Sequence, residues 1–271
     1  MTDQNGKTAW ITGASSGIGA ALATAWLADG GNCILSGRNV AALEEVAAAA
    51  KDRCLILPFE TTDYAALSGL VEQAIAFTGA VDVLVNNAGI SQRSLAIETD
   101  LSVYEQIIDI DLLAPIALTQ ALLPHFAARG AGQLVMISSV AGKAGVPMRT
   151  AYCAAKHGLI GYADALRAEM AGQGTKILVV APGSVRTNVS RNALSGDGAV
   201  RGVSDKAIEN GIDPDDVART IWDAVATGKR EIVIAEGMEA QIPVLRASDP
   251  ERLFDMVEAM VAAGYAAKMQ A

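Results

Sequence analysis

The sequence of 271 residues predicts an α/β fold, doubly wound, in which a seven-stranded parallel sheet is flanked by helices on both faces. Short apolar runs alternate with Ala-rich segments of helical periodicity, which is typical of parallel strands joined by crossover helices. Hydrophobic residues make up 51% of the chain and charged residues 19%, so the chain can bury a large core. No Pro/Ser-rich linker or internal repeat divides it, and we expect a single domain over residues 1–271.

Seven short apolar runs are the predicted strands. Each has the length expected of a buried strand in a parallel sheet. They are 8–12, 32–35, 54–58, 81–85, 133–137, 176–180 and 231–234.

Helical periodicity fills the intervals between these runs, at 17–28, 40–50, 63–77, 100–129, 151–170 and 214–226. Asp213 as N-cap and Pro214 at the first helical position mark where the last of these helices begins. Pro115 divides the longest one, which predicts two helices or a kink. The stretch 184–212 lacks sustained periodicity and is predicted to be a substrate loop. The amphipathic segment 249–271 is predicted to be a C-terminal helix that covers the pocket or joins an interface.

The charge balance and the cysteines exclude several classes of function. The net charge is −9 and no basic run is present, which argues against nucleic-acid binding. No apolar stretch approaches the ~20 residues of a membrane-spanning helix, so we expect no membrane segment. Cys33, Cys54 and Cys153 are odd in number and lack metal-ligand spacing, which predicts buried free thiols, no metal site and a reducing, cytoplasmic location.

A glycine-rich segment, Thr-Gly-Ala-Ser-Ser-Gly-Ile-Gly over residues 12–19, follows the first predicted strand and runs directly into a helical pattern. Gly13 allows a tight turn, and Gly17 allows the backbone to approach a pyrophosphate. Gly19 lets the helix pack on the strand, and the helix N-terminus supplies N–H donors. The alternative is an ordinary strand–helix turn of small residues. The context favours a dinucleotide phosphate site at Gly13, Ser15, Ser16, Gly17, Ile18 and Gly19.

The end of the second predicted strand indicates which dinucleotide binds. This strand ends in Ser-Gly-Arg-Asn over residues 36–39, without the acidic residue that binds a ribose 2′-hydroxyl. Arg38 offers a charge-assisted partner to a 2′-phosphate. The sequence therefore predicts NADP(H) in preference to NAD(H), although a solvated loop arginine is the simpler alternative for Arg38.

A tyrosine and a lysine share one face of the helix predicted at 151–170. Tyr152 and Lys156 are four residues apart, and Ser139 stands thirteen residues before Tyr152, at the end of a predicted strand. A lysine ammonium and a cationic nicotinamide ring would stabilise the Tyr152 phenolate and allow acid–base work at neutral pH. Alone, such a pair is more often found on a surface.

Together these motifs resemble the short-chain dehydrogenase/reductase family. The resemblance extends over nearly the whole chain, from the glycine motif through Asn-Asn-Ala-Gly at 86–89 to Pro-Gly-Ser-Val-Arg-Thr at 182–187. It implies a Rossmann-type sheet that carries NAD(P), with Tyr152 as general acid/base. It also implies that Ser139 hydrogen-bonds the substrate oxygen and that Lys156 binds the nicotinamide ribose and stabilises the Tyr152 phenolate.

The resemblance also implies further cofactor contacts. Residues after the fourth predicted strand would line the adenine ribose, and residues after the sixth would contact the nicotinamide end. Glu60 stands where the family commonly places an Asp that accepts from the adenine amino group, with a solvated loop acid as the alternative. These positions are Glu60, Asn87, Ala88, Gly89, Pro182, Gly183, Val185 and Thr187.

Asp111 is a departure from the family pattern, because it stands where the catalytic tetrad usually has Asn. An ionised carboxylate accepts hydrogen bonds and donates none. We expect a rearranged water relay from Lys156, or a pairing of Asp111 with Lys156 through water. A carboxylate favoured by a helix start is an equally simple interpretation.

The substrate pocket is expected over the carboxyl ends of the strands. Its predicted lining is mostly apolar or small, which favours an apolar or aromatic substrate over a multiply charged one. The lining residues are Ile90, Ser91, Gln92, Val146, Met148, Ser184, Val189 and Leu194. Five arginines flank the region and would either steer an anionic substrate or, more simply, be solvated surface charge. They are Arg93, Arg149, Arg186, Arg191 and Arg201.

The expected activity is therefore an NADP(H)-dependent oxidoreductase that interconverts a ketone or aldehyde and an alcohol. One alternative is a 3-oxoacyl-thioester reductase, with thioesters of acyl-carrier protein or CoA as substrates. Another is a catalytically weak regulatory protein that binds the cofactor. In the resembled family the helices at 111–129 and 151–170 form a four-helix interface, which implies a homodimer or homotetramer.

Overall fold

A parallel sheet of seven strands forms the centre of the molecule in the computed structural model, which describes residues 4–266. The strand order is β3-β2-β1-β4-β5-β6-β7, and every neighbouring pair is parallel. The strand order reverses between β1 and β4, and the crevice at that point is where α/β sheets bind ligands. The strands are β1 (Thr8–Thr12), β2 (Asn32–Ser36), β3 (Cys54–Ile56), β4 (Val83–Asn86), β5 (Gly132–Ile137), β6 (Thr175–Pro182) and β7 (Glu231–Ile234). The seven predicted strands and the fold class are confirmed.

Helices cover both faces of the sheet, and all six predicted helical segments are present. Among the described residues the sequence reasoning missed α7 and α9, while the segment at 100–129 is divided. The helices are α1 (Gly17–Ala28), α2 (Val40–Ala47), α3 (Leu67–Thr78), α4 (Leu101–Ile108), α5 (Ala114–Arg129), α6 (Thr150–Glu169), α7 (Lys206–Glu209), α8 (Pro214–Ala226), α9 (Gly237–Ser248) and α10 (Pro250–Ala262).

The break between α4 and α5 is a π-helical turn, Asp109–Leu113. Pro115 follows in the first turn of α5, and because the helical backbone is continuous through 101–129, this residue has no N–H to donate to the preceding turn. The predicted division is therefore confirmed, but the irregular turn lies before the proline. Such turns add a residue to the helix and often occur at functional sites, and this one contains the fully buried Asp111.

By length and composition alone, the helical run 101–129 would suffice to cross a membrane. Core helices of α/β proteins satisfy the same criterion. In this protein Leu118, Leu122 and Phe126 of α5 are buried in the core beneath the sheet. The expected absence of a membrane segment remains a prediction.

Each face of the sheet has its own core, because successive strand side chains point to opposite faces. On one face Ile11 packs with α1 and α8, where the rings of Trp26 and Trp222 lie 4.7 Å apart. On the other face Trp10 packs with α3, α5 and α6, including Phe126. The two cores fix β1, β4, β5 and β6, the strands whose carboxyl ends carry the site.

The expected substrate loop, 184–212, is irregular apart from α7; its two ends pair with each other, and its interior is bridged to the segment after β4. Leu194 bridges to Gln92, and Ile212 bridges to Val185. The predicted C-terminal helix corresponds to α10, which begins with Asp249 accepting from the N–H of Arg252. Residues 267–271 of that prediction lie outside the described residues.

The three cysteines are free, as predicted, but they are not all buried. Cys33 and Cys153 are buried, whereas Cys54 is half-buried because it lies in β3 at the edge of the sheet.

Candidate active site

The predicted catalytic residues meet at the carboxyl ends of β4, β5 and β6. Ser139 lies two residues after β5 and caps the 3-10 turn Val140–Gly142, while Tyr152 and Lys156 occupy the first turns of α6. All three line one cavity of about 580 Å³. The Lys156 ammonium lies 5.6 Å from the centre of the Tyr152 ring. The Ser139 hydroxyl donates to the Pro182 carbonyl over 3.3 Å, so it is held beside the strand that ends at the cavity.

Lys156 is held by a carbonyl and a carboxylate. Its Nζ donates to the Ile137 carbonyl over 3.1 Å and lies 3.0 Å from Oδ2 of Asp111. Oδ1 of Asp111 accepts from the Ile90 N–H over 2.8 Å. The expected pairing of Asp111 with Lys156 is therefore direct rather than through water, because the π-helical turn places the carboxylate within ion-pair distance of Nζ.

The two charges of this pair stabilise each other inside the protein. Burial raises the pKa of Asp111, and the opposing pull of Lys156 and of the Ile90 N–H is smaller. Burial would lower the pKa of Lys156, but the attraction of Asp111 and Tyr152 outweighs it and raises that pKa. The lysine is thus held as an ammonium ion, and Asp111 is its counter-ion.

The glycine motif forms a cradle that is packed so closely that it leaves no room for side chains at the glycines. Gly13 and Gly17 have φ angles of +65° and +54°, in the left-handed region that favours glycine. A Cβ on Gly13 would lie 2.8 Å from Asn87 Nδ2, and one on Gly17 would lie 2.9 Å from Thr187 Cγ2. A Cβ on Gly19 would collide with the Gly13 carbonyl. The predicted motif residues that line the cavity are Gly13, Ser15, Ser16, Gly17 and Ile18, so Gly19 acts by packing, not by lining.

The segment after β4 is fastened to β1. Thr12 Oγ1 accepts from the N–H groups of Asn87 and Ala88, each over 3.0 Å. The Asn87 side chain donates back to the Thr12 carbonyl over 2.9 Å. Asn87, Ala88 and Gly89 all line the cavity, as the resemblance implied.

Arg38 and Glu60 lie together at the adenine end of the cavity. Their side chains are 3.7 Å apart and are 75% and 47% exposed. At that exposure the pair adds little stability, so Arg38 is free to exchange its partner for a ligand. Glu60, expected near an adenine amino group, lies beside the arginine expected to bind a phosphate.

Pro182, Gly183, Val185 and Thr187 line the opposite end of the cavity. Their loop is clamped by Glu239, which accepts from the Ser184 N–H over 2.6 Å and from its hydroxyl over 2.8 Å. A Cβ on Gly183 would collide with the same carboxylate. Sequence reasoning missed Glu239, since it lies in α9, more than fifty residues away, in no recognised motif.

Three of the flanking arginines are not solvated, contrary to the simpler expectation. Arg93, Arg149 and Arg201 converge on the carboxylate of Asp205, which is 4% exposed. Arg93 Nε lies 2.7 Å from Oδ2, and Arg149 Nη2 lies 3.5 Å from it. Burial and the neighbouring Arg149 lower the pKa of Arg93 to about 10. The aspartate is the counter-ion that allows these side chains to leave water.

A buried glutamine ties this cluster to the catalytic helix. Oε1 of Gln92 accepts from the Ala151 N–H in the first turn of α6, over 2.9 Å. Just before that turn, Met148 has a φ of +64° and is the one described residue other than glycine with a positive φ. Its carbonyl accepts from the Ser94 N–H over 3.2 Å. The backbone that leads into Tyr152 is therefore strained and held from outside its own helix.

Only some of the residues predicted to line the substrate side of the cavity do so. Of the predicted substrate-side residues, Ile90, Val189 and Leu194 line it. Gln92 and Met148 instead pack beneath the lining, and Ser184 is bound to Glu239. Ser91 and Val146 also lie outside the lining. Residues that line the cavity but were not predicted to do so include Gln106, Ile110, Asn192, Val200 and Ile208.

Comparison with known proteins identifies the family. The sequence model of the short chain dehydrogenases matches residues 7–197. The chain therefore belongs to the short-chain dehydrogenase/reductase family, whose members are oxidoreductases that use a nicotinamide cofactor.

Among its relatives is the dehydrogenase/reductase SDR family member 7B of Danio rerio, 39% identical over 239 residues, which are 84% of this chain and 77% of that protein. The SDR family protein 7-like of Anopheles gambiae is 39% identical over 239 residues, 85% of this chain and 75% of that one.

Solved structures show the same fold. A short-chain dehydrogenase from Streptomyces avermitilis superposes with a TM-score of 0.81 at 30% identity and covers 95% of this chain and 99% of its own. A metagenomic short-chain oxidoreductase in complex with NADP has a TM-score of 0.71 at 29% identity, covering 86% and 98%. A Burkholderia phymatum member in complex with NAD, 22% identical, has a TM-score of 0.80 and covers 93% and 97%. One of the last two structures thus contains NADP and the other NAD.

Proposed function

We propose that the protein is an NADP(H)-dependent oxidoreductase that interconverts a ketone or aldehyde with the corresponding alcohol. The observation that carries this proposal is the convergence of Ser139, Tyr152 and Lys156 on one cavity that also includes the glycine cradle. Intact catalytic geometry argues against the alternative of a regulatory protein without chemistry.

The cradle fits a dinucleotide, since Gly13, Ser15, Ser16, Gly17 and Ile18 line the open cavity beside the N-terminus of α1. When bound, the nicotinamide supplies or accepts the hydride. Gly13, Ser15, Ser16, Gly17 and Ile18 would hold the pyrophosphate.

The chain's own residues handle the proton. In reduction, the Tyr152 hydroxyl donates its proton to the alkoxide oxygen that forms on the carbonyl, and the Ser139 hydroxyl donates a hydrogen bond to the same oxygen. The Lys156 ammonium stabilises the phenolate left behind. In oxidation the phenolate removes the hydroxyl proton, so the same three groups serve both directions.

The preference for NADP(H) rests on Arg38. Its exposed guanidinium lies at the adenine end of the cavity, and no carboxylate ends β2 to bind a ribose 2′-hydroxyl. A 2′-phosphate would pair with Arg38 more strongly than Glu60 does, because a dianion at a bidentate guanidinium outweighs one exposed carboxylate at 3.7 Å.

The substrate side of the cavity is mostly apolar, through Ile90, Val189, Leu194, Val200 and Ile208. We infer an apolar or aromatic substrate, because a charged one would lose hydration there without a partner. The free thiols support a cytoplasmic location. A homodimer or homotetramer through α5 and α6 is part of the same proposal and rests on the family resemblance.

The test follows the absorbance of reduced cofactor, with NADPH and NADH in parallel, across aromatic ketones, aliphatic ketones, diketones and 3-oxoacyl thioesters. Tyr152→Phe should lower turnover by about 10²- to 10⁴-fold while cofactor affinity is retained. Tyr162→Phe is the matched control, because Tyr162 lies on the same helix and contacts Gln120 outside the cavity. Full activity of Tyr152→Phe would contradict the mechanism, and a preference for NADH would contradict the role of Arg38.

A further inference from the structure

The ion pair of Asp111 and Lys156 is a feature that the proposed reaction does not require. Proton transfer needs the ammonium beside Tyr152, and a neutral side chain at position 111 would hold the Ile90 N–H equally well. Instead, a fully buried carboxylate lies 3.0 Å from Nζ. The charge itself therefore needs an explanation.

Each carboxylate oxygen of Asp111 has its own partner. Oδ1 accepts from the Ile90 N–H, whereas Oδ2 faces Nζ of Lys156 across 3.0 Å and has no other partner among the described residues. Oδ2 also lies close to the Gly89 backbone, since a Cβ on Gly89 would be only 2.9 Å from it. The carboxylate is thus packed between the Gly89 backbone and the lysine, with no water-filled space between the two charges.

The pair is also isolated from other ions. The next aspartate on the same turn, Asp109, points outward and contacts the Tyr64 hydroxyl. Arg93 also interacts electrostatically with Tyr152, but Asp205 holds it in a separate cluster. Lys156 and Asp111 together therefore contribute no net charge to this side of the cavity.

We propose that Asp111 sets the balance between oxidised and reduced cofactor at this site, by cancelling the charge of Lys156. The inference rests on the proposed function. The nicotinamide ring carries a positive charge when it is oxidised and none when it is reduced. An uncompensated ammonium buried beside the ring would repel only the oxidised form. The carboxylate removes that repulsion, so both forms bind and the reaction remains reversible.

The test compares dissociation constants, not turnover. Isothermal titration calorimetry gives Kd for NADP⁺ and NADPH with the wild-type protein, Asp111→Asn and Asp109→Asn. Asparagine keeps the size of Asp111 and an oxygen for the Ile90 N–H, and Asp109→Asn removes the same charge from the same turn at a half-buried position that contacts Tyr64 instead of Lys156. The adenosine and phosphate contacts are common to both cofactor forms and cancel in the ratio Kd(NADP⁺)/Kd(NADPH), as does any misfolded fraction.

We expect Asp111→Asn to raise this ratio at least about tenfold, from a unit charge at several ångströms in a medium of effective dielectric constant near 20. Asp109→Asn should leave it unchanged. The titrations are run at about pH 6, because a buried lysine whose pKa is lowered is more fully protonated there than at neutral pH. If Asp111→Asn binds neither form, Asp111→Ser provides the same comparison with a smaller neutral side chain.

A ratio that stays the same or falls in the neutral variants would overturn the role of Asp111 and leave the proposed function intact. A wild-type protein that binds neither NADP(H) nor NAD(H) would overturn the proposed function instead. An equal rise in Asp109→Asn would show a general effect of net charge and would also overturn the inference.

Discussion

Replacement of Asp205 by asparagine tests whether the buried arginine cluster holds the substrate loop in place. Asp205 is 4% exposed and contacts Arg93, Arg149 and Arg201. Asn keeps the size of the side chain but removes the negative charge that the three guanidinium groups share. Breaking a buried ion pair by removing one partner costs about 3–5 kcal/mol. For a chain of this size, each kcal/mol lowers Tm by about 2–4 °C, so we expect a fall of at least roughly 6 °C.

Two measurements check this expectation. Thermal unfolding followed by circular dichroism gives Tm, and hydrogen exchange reports opening of the loop 184–212 separately from the core. Asp197→Asn is the matched control, because Asp197 lies in the same loop, is exposed, and accepts only the local N–H of Ala199 among the contacts described. We expect the control to change stability by no more than about 0.5 kcal/mol.

The effect should also depend on pH with a defined sign. Burial alone would raise the pKa of Asp205, but Arg93, Arg201 and Arg149 outweigh burial and lower it. The stabilising contribution is therefore complete above the ordinary carboxyl pKa of about 4 and is lost as the pH falls through the lowered folded-state value. The difference in stability between wild type and Asp205→Asn should narrow only in that acidic range. An unchanged Tm together with unchanged exchange in the loop would refute this reasoning.

Three further predictions concern the cofactor site. Glu60→Gln should tighten NADPH binding by a few fold and leave NADH almost unchanged, because it frees Arg38 from its partner; paired titrations measure this. Glu239→Gln should raise the KM for cofactor more than it lowers kcat, because it weakens the clamp on Ser184; equal effects on both would contradict the clamp. Gly19→Ala should lower the free energy of unfolding by about 1–3 kcal/mol, because its Cβ meets a backbone carbonyl. Denaturant unfolding measures this, and an unchanged free energy of unfolding would contradict the prediction.

The parts of the fold that repeat with a fixed period could be predicted from the sequence. The strands are apolar runs, and β1 was placed at its observed bounds, as were α1 and α8. The helix α9 was missed, because it is mostly exposed, buries no residue fully and contains Pro243. It leaves no apolar stripe for periodicity to detect.

The site residues could be predicted from the sequence only where a local pattern of residue types is tied to a specific role. Glycines with positive φ and the spacing of Tyr152 and Lys156 are local signals of that kind. Arg93 and Asp205 are more than a hundred residues apart, and nothing local to either shows that they meet. The direct contact of Asp111 with Lys156 depends on a π-helical turn, a backbone irregularity with no residue signature of its own.

The attachments of the substrate loop have a consequence for protein engineering. Leu194 pairs with the backbone around Gln92, and Gln92 in turn caps the helix that carries Tyr152. A loop 184–212 transplanted from another family member would therefore lack the segment around position 92 with which it pairs in its own protein. Exchange of specificity between members would require that segment 90–100 be transferred together with the loop, as one recombination module.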